Sequence, residues 1–458
     1  MTKLITDGFS IPEYISLRQQ VNYVRRVSIV DTTITANERV DRSGVSARAY
    51  INGIWGMASM GMAQENVATV ISGAIKNAKD ISKWIGIPKK HIVLPVNNYC
   101  VYDNEEEYVD VDQTELLHLA QKISREITKR CKSISSQKVM VYSDAIEKYI
   151  SIDGNLPKHD LIKRSYVCIE ISKADSLGNV ISVVKKKAYP DMFKANDLSE
   201  DAYLIFVDVA YKELLDKSNG MQVERGTYPC ILHPDVTGTL VHEAIGHNVE
   251  ADIAQNGSYV NAYLGKSIAS ERICVTDFAN HAFGHSVGIP IYIDDEGMGC
   301  YDVPIISKGI LSGYLHSRQT AYEFGATPTG NARAYLASDE PIVRMRNTAL
   351  HPGTDNVEDM IQSIDDGYYL ISPCGGQADT DGEFMLSIDM GYHIKNGRID
   401  RAIYDTTISG NAVDVLKSIS MLSKDLIWDY TGLCGKMQSM IVGIGGPYIK
   451  CNLYLGRD

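Results

Sequence analysis

The sequence predicts an α+β protein, in which an N-terminal α/β part precedes a β-rich, barrel-like C-terminal domain that carries a histidine-containing helix. Apolar stripes at helical spacing occur in the first half, whereas many short strand-like runs joined by glycine turns occur in the second half. A polar, glycine-marked break at residues 217–227 separates the two parts. We therefore assign residues 1–220 to the N-terminal α/β region, with a further division into about 1–95 and 96–220, and residues 221–458 to the C-terminal domain.

The first half contains one predicted hairpin, three predicted helices and a group of strands. The Asn52-Gly53 dipeptide lies between two short strand-like runs, which is typical of a hairpin. Strands are expected over 138–189, with a turn at Gly178-Asn179, and residues 88–107 are expected to form a linker or excursion. Helices are expected from Val67, over about 113–131 after a start signal at Asp112, and over 198–215; the first has an apolar stripe at Val70, Ile71, Ala74, Ile75, Ala78 and Ile81.

The second half is predicted to be mostly β-structure. Residues 305–311 and 392–399 are typical of hairpins, the second with an Asn-Gly primed turn. Many short strands at this spacing indicate a twisted sheet or a barrel-like body. The histidine-containing helix, over about 236–252, is expected to pack against that body.

Composition narrows the function classes. The chain has 458 residues, 44% hydrophobic residues and a net charge of −12 without charge blocks, which argues against nucleic acid as a main partner because phosphate binding requires clustered Lys and Arg. The first 17 residues lack the pattern of an export signal, and no apolar run approaches the length that spans a bilayer. Nine cysteines without paired spacing are typical of a reduced compartment, so we expect a cytoplasmic protein without membrane contact.

The strongest functional signal is HEAIGH at residues 242–247. Two histidines flank a glutamate, as in zinc motifs, but they stand five positions apart rather than four. On a regular α-helix five steps leave the imidazoles of His242 and His247 about 140° apart, too far round to share one ion. A one-residue π-bulge would bring them together, and we expect Gly246 to tolerate the strain. The alternative is an amphipathic helix with two incidental histidines.

A catalytic zinc needs a third protein ligand from elsewhere in the chain. Candidates are Glu250, another histidine or a cysteine of the second half. Cys434 is favoured among the cysteines because it lies in the loop GLCGK, where glycines allow a close approach and Lys436 would favour the thiolate. Cys374 is the second choice, whereas strand-like surroundings predict that Cys274 and Cys451 are buried and inert.

Glu243 cannot share an ion with His242, because adjacent helical positions point about 100° apart. Its expected role is general base for a water whose pKa the metal lowers, which is the chemistry of amide hydrolysis. Glu250 and Asp252 are candidates to orient the imidazoles, with surface solvation as the alternative for both carboxylates.

Residues 238–252, GTLVHEAIGHNVEAD, resemble the TldD/PmbA family of modulators of DNA gyrase, which includes metallopeptidases. The resemblance continues through DDEG at 294–297, GILSGYL at 309–315, PTGNAR at 328–333 and RMRNT at 344–348. It also covers GGQ at 375–377, SGN at 409–411, CGK at 434–436 and, more thinly, an N-terminal block from Ser43 to Gly56. The chain departs from the family pattern after Cys434, where Lys436-Met437-Gln438 is one residue shorter, and in its last residues, LGRD.

The resemblance implies a zinc ion held by His242, His247 and Cys434, with Glu243 as base. It also implies action on unfolded peptides or ribosomally made peptide precursors, within a homodimer or a heterodimer that contains a related, metal-free subunit. Two other hypotheses stay open. The chain could be a non-catalytic subunit that binds peptides or a protein, with a structural metal or none, and the same chemistry would also hydrolyse a non-peptide amide.

Overall fold

In the part of the first half that the structure describes, a six-stranded antiparallel sheet carries three helices on one face. The structure is a computed structural model that describes residues 14–86, 93–97, 106–155, 157–174, 178–193 and 199–456. The strands, in the spatial order β3-β2-β1-β4-β5-β6, are β1 (Tyr14–Val30), β2 (Thr33–Ile51), β3 (Ile54–Gly61), β4 (Ser136–Ile152), β5 (Lys158–Ala174) and β6 (Val180–Tyr189). The helices are α1 (Asn66–Ile85), α2 (Gln113–Arg130) and α3 (Glu200–Ser218).

The two faces of this sheet have different partners. Odd-numbered residues of β1, such as Leu17 and Val27, lie in the apolar clusters under the helices. Even-numbered residues of the same strand face the second half, where Arg18, Gln20 and Asn22 donate hydrogen bonds to carbonyl groups of residues 335–339. This polar contact joins the two halves closely, and we retain the domain boundary at 217–227 as a proposal.

Turn chemistry predicted the hairpins correctly. Asn52 and Gly53 take φ of 53° and 82°, the left-handed values that a two-residue primed turn requires, and Ile51 pairs with Ile54. The predicted linker lies largely outside the described residues, but Leu94 within it is buried against the sheet.

The three predicted helices are confirmed with shifts of a few residues at their ends. In α1 one member of the predicted apolar stripe is wrong, because Ile81 is 39% exposed. Three helical steps take Ile81 about 60° away from Ala78, whereas four steps take the buried Ser82 only about 40° away, so the buried face continues through Ser82.

Among its described residues, the second half contains many short strands and five short α-helices. Its strands are β7 (Gly226–Leu232), β8 (Val275–Phe278), β9 (His281–Ala282), β10 (His285–Ser286), β11 (Val303–Ser307), β12 (Ile310–Leu311), β13 (Ala332–Arg333), β14 (Ile342–Val343), β15 (Asn347–Leu350), β16 (Asp366–Ala378), β17 (Glu383–Lys395), β18 (Arg398–Ile403), β19 (Thr406–Asn411), β20 (Met421–Leu422), β21 (Ile427–Asp429), β22 (Leu433–Lys436), β23 (Gln438–Ile441), β24 (Gly443–Gly446) and β25 (Ile449–Leu455). Its helices are α4 (Pro234–Val241), α5 (Ala251–Gln255), α6 (Arg318–Phe324), α7 (Val357–Gln362) and α8 (Ala412–Ser418).

Five of these strands close into a barrel, which confirms the predicted architecture. The pairings run β16-β7-β25-β19-β17, and β17 pairs again with β16. A second, six-stranded sheet runs β12-β11-β8-β15-β24-β21, and β16 of the barrel and β24 of this sheet both contact α4. The predicted hairpins at 305–311 and 392–399 are β11-β12 and β17-β18. Of the helices in the described residues, none has the length and apolar character needed to cross a lipid bilayer.

Candidate metal centre

The helix that carries the histidine motif changes its hydrogen-bonding pattern at the motif. Regular α-helix ends at Val241, residues His242–Gly246 form a π-helical turn, and His247–Val249 form a 3₁₀ turn. The His247 amide donates to the carbonyl of His242, five residues back, so the two imidazoles lie on the same side with ring centroids 4.8 Å apart. The predicted π-distortion is confirmed, although the regular helix is much shorter than the predicted 236–252.

The expected reason for Gly246 is wrong. Its φ of −57° and ψ of −50° are ordinary helical values that store no strain. What the site requires is space, because a Cβ at this position would lie 2.2 Å from the Sδ atom of the buried Met345. Glycine therefore allows close packing between the π-turn and the segment that contains Met345.

Cys434 lies opposite the two histidines on β22, which forms a tight hairpin with β23. Its Sγ atom is 3.2 Å from Nε2 of His242 and 3.2 Å from Nε2 of His247. One ligand atom from each of the three side chains lies within 4.8 Å of the other two. Tetrahedral zinc with ordinary bond lengths places nitrogen and sulfur ligands about 3.5 Å apart, so the two nitrogens and one sulfur fit such an ion.

Burial and neighbouring charges shift the pKa values of Cys434 and His247 in opposite directions. Burial raises the pKa of the Cys434 thiol, but the two imidazoles outweigh it and lower that pKa to about 5. Burial lowers the pKa of His247, but Glu250 and Cys434 outweigh it and raise that pKa to about 10. His242 is 5% exposed, and its Nδ1 atom has no hydrogen-bond partner among the described residues. A thiolate beside two imidazoles is a donor set that suits zinc.

The two carboxylates that follow the motif have different positions. The fully buried Glu250 lies 3.4 Å from Nδ1 of His247 and accepts a hydrogen bond from the Met345 amide. Asp252 instead accepts two hydrogen bonds of 2.8 Å from Nζ of Lys436, which also donates to Glu250 at 2.7 Å. Burial raises the pKa of Glu250, but Lys436 and His247 outweigh it and lower that pKa to about 2. Lys436 therefore binds these carboxylates rather than the Cys434 thiol.

Two arginines hold the Cys434 segment, and sequence reasoning assigned neither of them a role. Arg344, which is fully buried, donates to the carbonyl groups of Cys434 and Gln438. Arg164 donates from the N-terminal sheet to the carbonyl groups of Tyr430 and Gly432. Arg344 lies in one of the family-like blocks, whereas Arg164 has no local sequence pattern that would reveal it.

The other candidate ligands lie elsewhere. Cys374 is exposed, and the buried Cys451 on β25 lies opposite Cys230 on β7 in the barrel, with both cysteines free. Within the described residues neither they nor Cys274 belong to a group of three or more His, Cys, Asp or Glu side chains close enough to hold a metal. His233 caps α4 through its Nδ1 atom, which accepts from the Asp235 amide.

A cleft of about 730 Å³ opens beside the three potential ligands. Glu243 lines it, and a Cβ on Gly376 would lie 3.0 Å from the Cγ atom of Glu243. Residues 376–378 of β16 pair with β17 on one side, whereas β7 pairs only with residues 368–370 on the other. In the part of the chain that the structure describes, one edge of residues 373–378 therefore has no strand partner, and it lines the cleft.

Comparisons with known proteins identify relatives of this chain. Residues 225–453 match the family model described as PmbA/TldA metallopeptidase C-terminal domain. The chain is 30% identical over 431 residues to a zinc metalloprotease TldD homolog of Saccharolobus solfataricus, with 93% of each chain covered. It is 29% identical to a metalloprotease of Methanocaldococcus jannaschii, with 96% of each covered.

A likeness in fold extends over the whole chain. The crystal structure of TldE from Thermococcus kodakarensis superimposes with a TM-score of 0.79 and 18% identity, covering 100% of this chain and 98% of that one. The family model, the curated relatives and the fold point to one family. The chain belongs to the TldD/PmbA family of metallopeptidases.

Proposed function

We propose that the protein is a zinc-dependent peptidase of the HExxxH type that hydrolyses unfolded peptides or ribosomally made peptide precursors. The proposal rests above all on one observation: the potential ligand atoms of His242, His247 and Cys434 lie within 4.8 Å of one another at the wall of an open cleft. Glu243 lines the same cleft. A pure binding module has no need for a carboxylate at that place.

In this proposal His242, His247 and Cys434 hold one zinc ion. When bound, zinc supplies a Lewis acid that polarises a carbonyl group and lowers the pKa of water to about 7. Glu243 accepts the proton of the attacking water and then gives it to the amine that leaves. Glu250 holds the imidazole of His247 in orientation through the Nδ1 contact of 3.4 Å.

The shape of the cleft supports extended peptides as substrates. The unpaired edge of residues 373–378 in β16 offers backbone groups to an added strand, which is a recurrent way of binding a peptide without reading its side chains. The main chain of a folded protein is already paired in its own secondary structure. We therefore expect unfolded segments to be preferred over native proteins.

We further propose that the protein acts in the cytoplasm, as a homodimer or together with a related subunit that lacks the metal motif. The fold likeness to a TldE structure is consistent with such a pairing. We propose no role for nucleic acid or a membrane. Light scattering of the purified chain, alone and after coexpression with a metal-free relative, distinguishes the two assemblies.

Metal content and peptide hydrolysis test the proposal together. Wild type should carry about one zinc per active subunit, and Glu243→Gln, which keeps the shape of the side chain, should retain zinc but lose hydrolysis of an unstructured peptide. Cys434→Ala should lose zinc affinity as well as activity. Cys274→Ala, at a partly exposed cysteine outside both the group and the cleft, is the matched control and should behave as wild type.

Three outcomes would contradict the proposal. Unchanged hydrolysis by Glu243→Gln removes that residue as base, and full zinc occupancy in Cys434→Ala removes the thiolate from the ligand set. Wild-type protein that binds zinc and peptide without cleaving any unstructured peptide or precursor would instead favour the non-catalytic subunit.

A further inference from the structure

The face of the N-terminal sheet that is turned away from its helices carries a buried arginine directed at the second half of the protein. Arg164, on β5, has only 1% of its side chain exposed. Its Nε and Nη2 atoms donate to the two carboxylate oxygens of Asp144, at 2.8 and 3.3 Å. Its Nη1 atom donates to the carbonyl oxygens of Tyr430 at 2.6 Å and Gly432 at 2.8 Å.

These two carbonyl groups lie in the short connection between β21 and β22, which leads directly to Cys434. In the described residues, Arg164 is the side chain that donates to both of them. The other end of the segment is held from the C-terminal half, because Arg344 donates to the carbonyl groups of Cys434 and Gln438. The backbone around the cysteine is thus held by one arginine from each half of the protein.

Gly432 gives this connection a conformational freedom that the hydrogen bonds from Arg164 restrict. A Cβ at Gly432 would meet nothing within 4 Å, so no packing at its side-chain position fixes this residue. Hydrogen bonds from a charged donor in a buried site are stronger than those between neutral groups, and the Asp144 carboxylate fixes the guanidinium plane. Arg164 therefore sets the path of residues 430–432 and, through it, the position of the Cys434 sulfur.

We infer that Arg164 is a positioning residue for Cys434, so that the N-terminal sheet takes part in metal binding although it supplies no ligand. The inference rests on the proposed function, because it presumes that Cys434 holds the metal. Loss of a group that orients a metal ligand typically weakens metal affinity or activity by about 10- to 100-fold. Arg164→Met should weaken zinc affinity by that factor, and Arg164→Lys, which keeps the charge but only one donor group, by less.

A double-mutant cycle on zinc affinity, measured by competition with a chelator, tests the inference on the full chain. The four proteins are wild type, Arg164→Met, Cys434→Ala and the double variant. Because Arg164 is argued to act through the sulfur, Arg164→Met should cost nothing further once Cys434 is alanine. Cobalt substituted for zinc gives a second measurement, since the sulfur-to-cobalt charge-transfer band should weaken in Arg164→Met.

Arg25→Met separates positioning from a general loss of stability. Arg25 is equally buried on the same sheet, but it pairs with Asp41 and Asp110 within the N-terminal half. The Arg25→Met substitution should lower the denaturation midpoint and leave zinc affinity unchanged. If Arg164→Met does not fold, Arg164→Lys carries the same cycle.

The outcomes are distinguishable. Wild-type zinc affinity and cobalt band in the Arg164 variants would overturn the inference, as would an equal loss of affinity in the Cys434→Ala background. Equal zinc affinity of wild type and Cys434→Ala would show instead that the proposed ligand set is wrong, and the inference would fall with it.

Discussion

Gly246→Ala is expected to damage both the fold and the metal centre, although it adds a single methyl group. The new Cβ would lie 2.2 Å from Sδ and 3.1 Å from Cε of Met345. Non-bonded heavy atoms normally approach to about 3.5–4.0 Å, so the sulfur would have to move by more than about 1 Å. Met345 is fully buried in the main apolar cluster of the second half, so it has little room to move.

The expected change in the free energy of unfolding is the difference between a packing cost and a gain in helix propensity. Overpacking a core by one methyl group typically costs about 1–3 kcal/mol, whereas replacing glycine by alanine in a helix gains about 1 kcal/mol. Because the new Cβ would approach Sδ of Met345 so closely, the overpacking cost should lie in the upper part of its range, at about 2–3 kcal/mol. The net loss in the free energy of unfolding should then be about 1–2 kcal/mol. Zinc affinity should also fall, by about tenfold, because the amide of Met345 donates to Glu250, which holds His247.

Chemical denaturation and chelator competition measure the two effects. Gly435→Ala is the matched control, since Gly435 adjoins Cys434 but its Cβ would meet nothing within 4 Å. Wild-type stability and zinc affinity in Gly246→Ala would refute the packing argument. An equal loss in Gly435→Ala would show that any added methyl near the ligands is harmful, and that contact with Met345 is not the cause.

Three further predictions concern buried charge. Glu250→Gln should weaken zinc binding by about 10- to 100-fold in a chelator competition, and unchanged affinity would remove its orienting role. Lys436→Met leaves Glu250 and Asp252 without their shared cation and should cost about 3–5 kcal/mol in urea denaturation, whereas a change below about 1 kcal/mol would contradict this. Burial raises the pKa of Asp160 to about 7, although the nearby Lys148 partly offsets this effect. Because the folded state then holds this proton more tightly than the unfolded state, the wild-type protein loses stability as pH rises from the ordinary aspartate pKa to about 7. The stability advantage of Asp160→Asn should therefore grow by about 2–3 kcal/mol between pH 5 and pH 8, and a pH-independent difference would sink the assignment.

The predictable parts of the fold are those that short stretches of sequence determine. The turns at Asn52-Gly53 and Asn396-Gly397 have positive φ at both residues, which Asn and Gly adopt readily, so the hairpins could be predicted from dipeptides. Closure of the barrel could not be predicted in detail. It depends on β7 pairing with both β16 and β25, which lie far along the chain and have no complementary local pattern.

At the metal centre too, features that depend on local sequence could be predicted, whereas those that depend on distant residues could not. The distortion at residues 242–247 could be predicted because the spacing of two histidines and the geometry of a helix are both local. The role of Gly246 was predicted wrongly, and the carboxylate partners of Lys436 were not predicted. Each depends on side chains brought close only by folding: Met345 for the glycine, and Glu250 with Asp252 for the lysine. Resemblance to a family, rather than spacing, singled out Cys434 as the favoured third ligand.

The closed barrel has a consequence for the order of events during synthesis. Only the short helix α4 separates β7 from the histidines. However, β7 completes its pairing only when β25 has been made, and Cys434 comes 187 residues after His247. Contacts of such high sequence separation form late in folding. During synthesis, the growing chain therefore carries the proposed base Glu243 and the ligands His242 and His247 before the Cys434 thiolate that would complete the metal site. In the proposed mechanism, peptidase activity cannot begin until nearly the whole of this sequence has been translated.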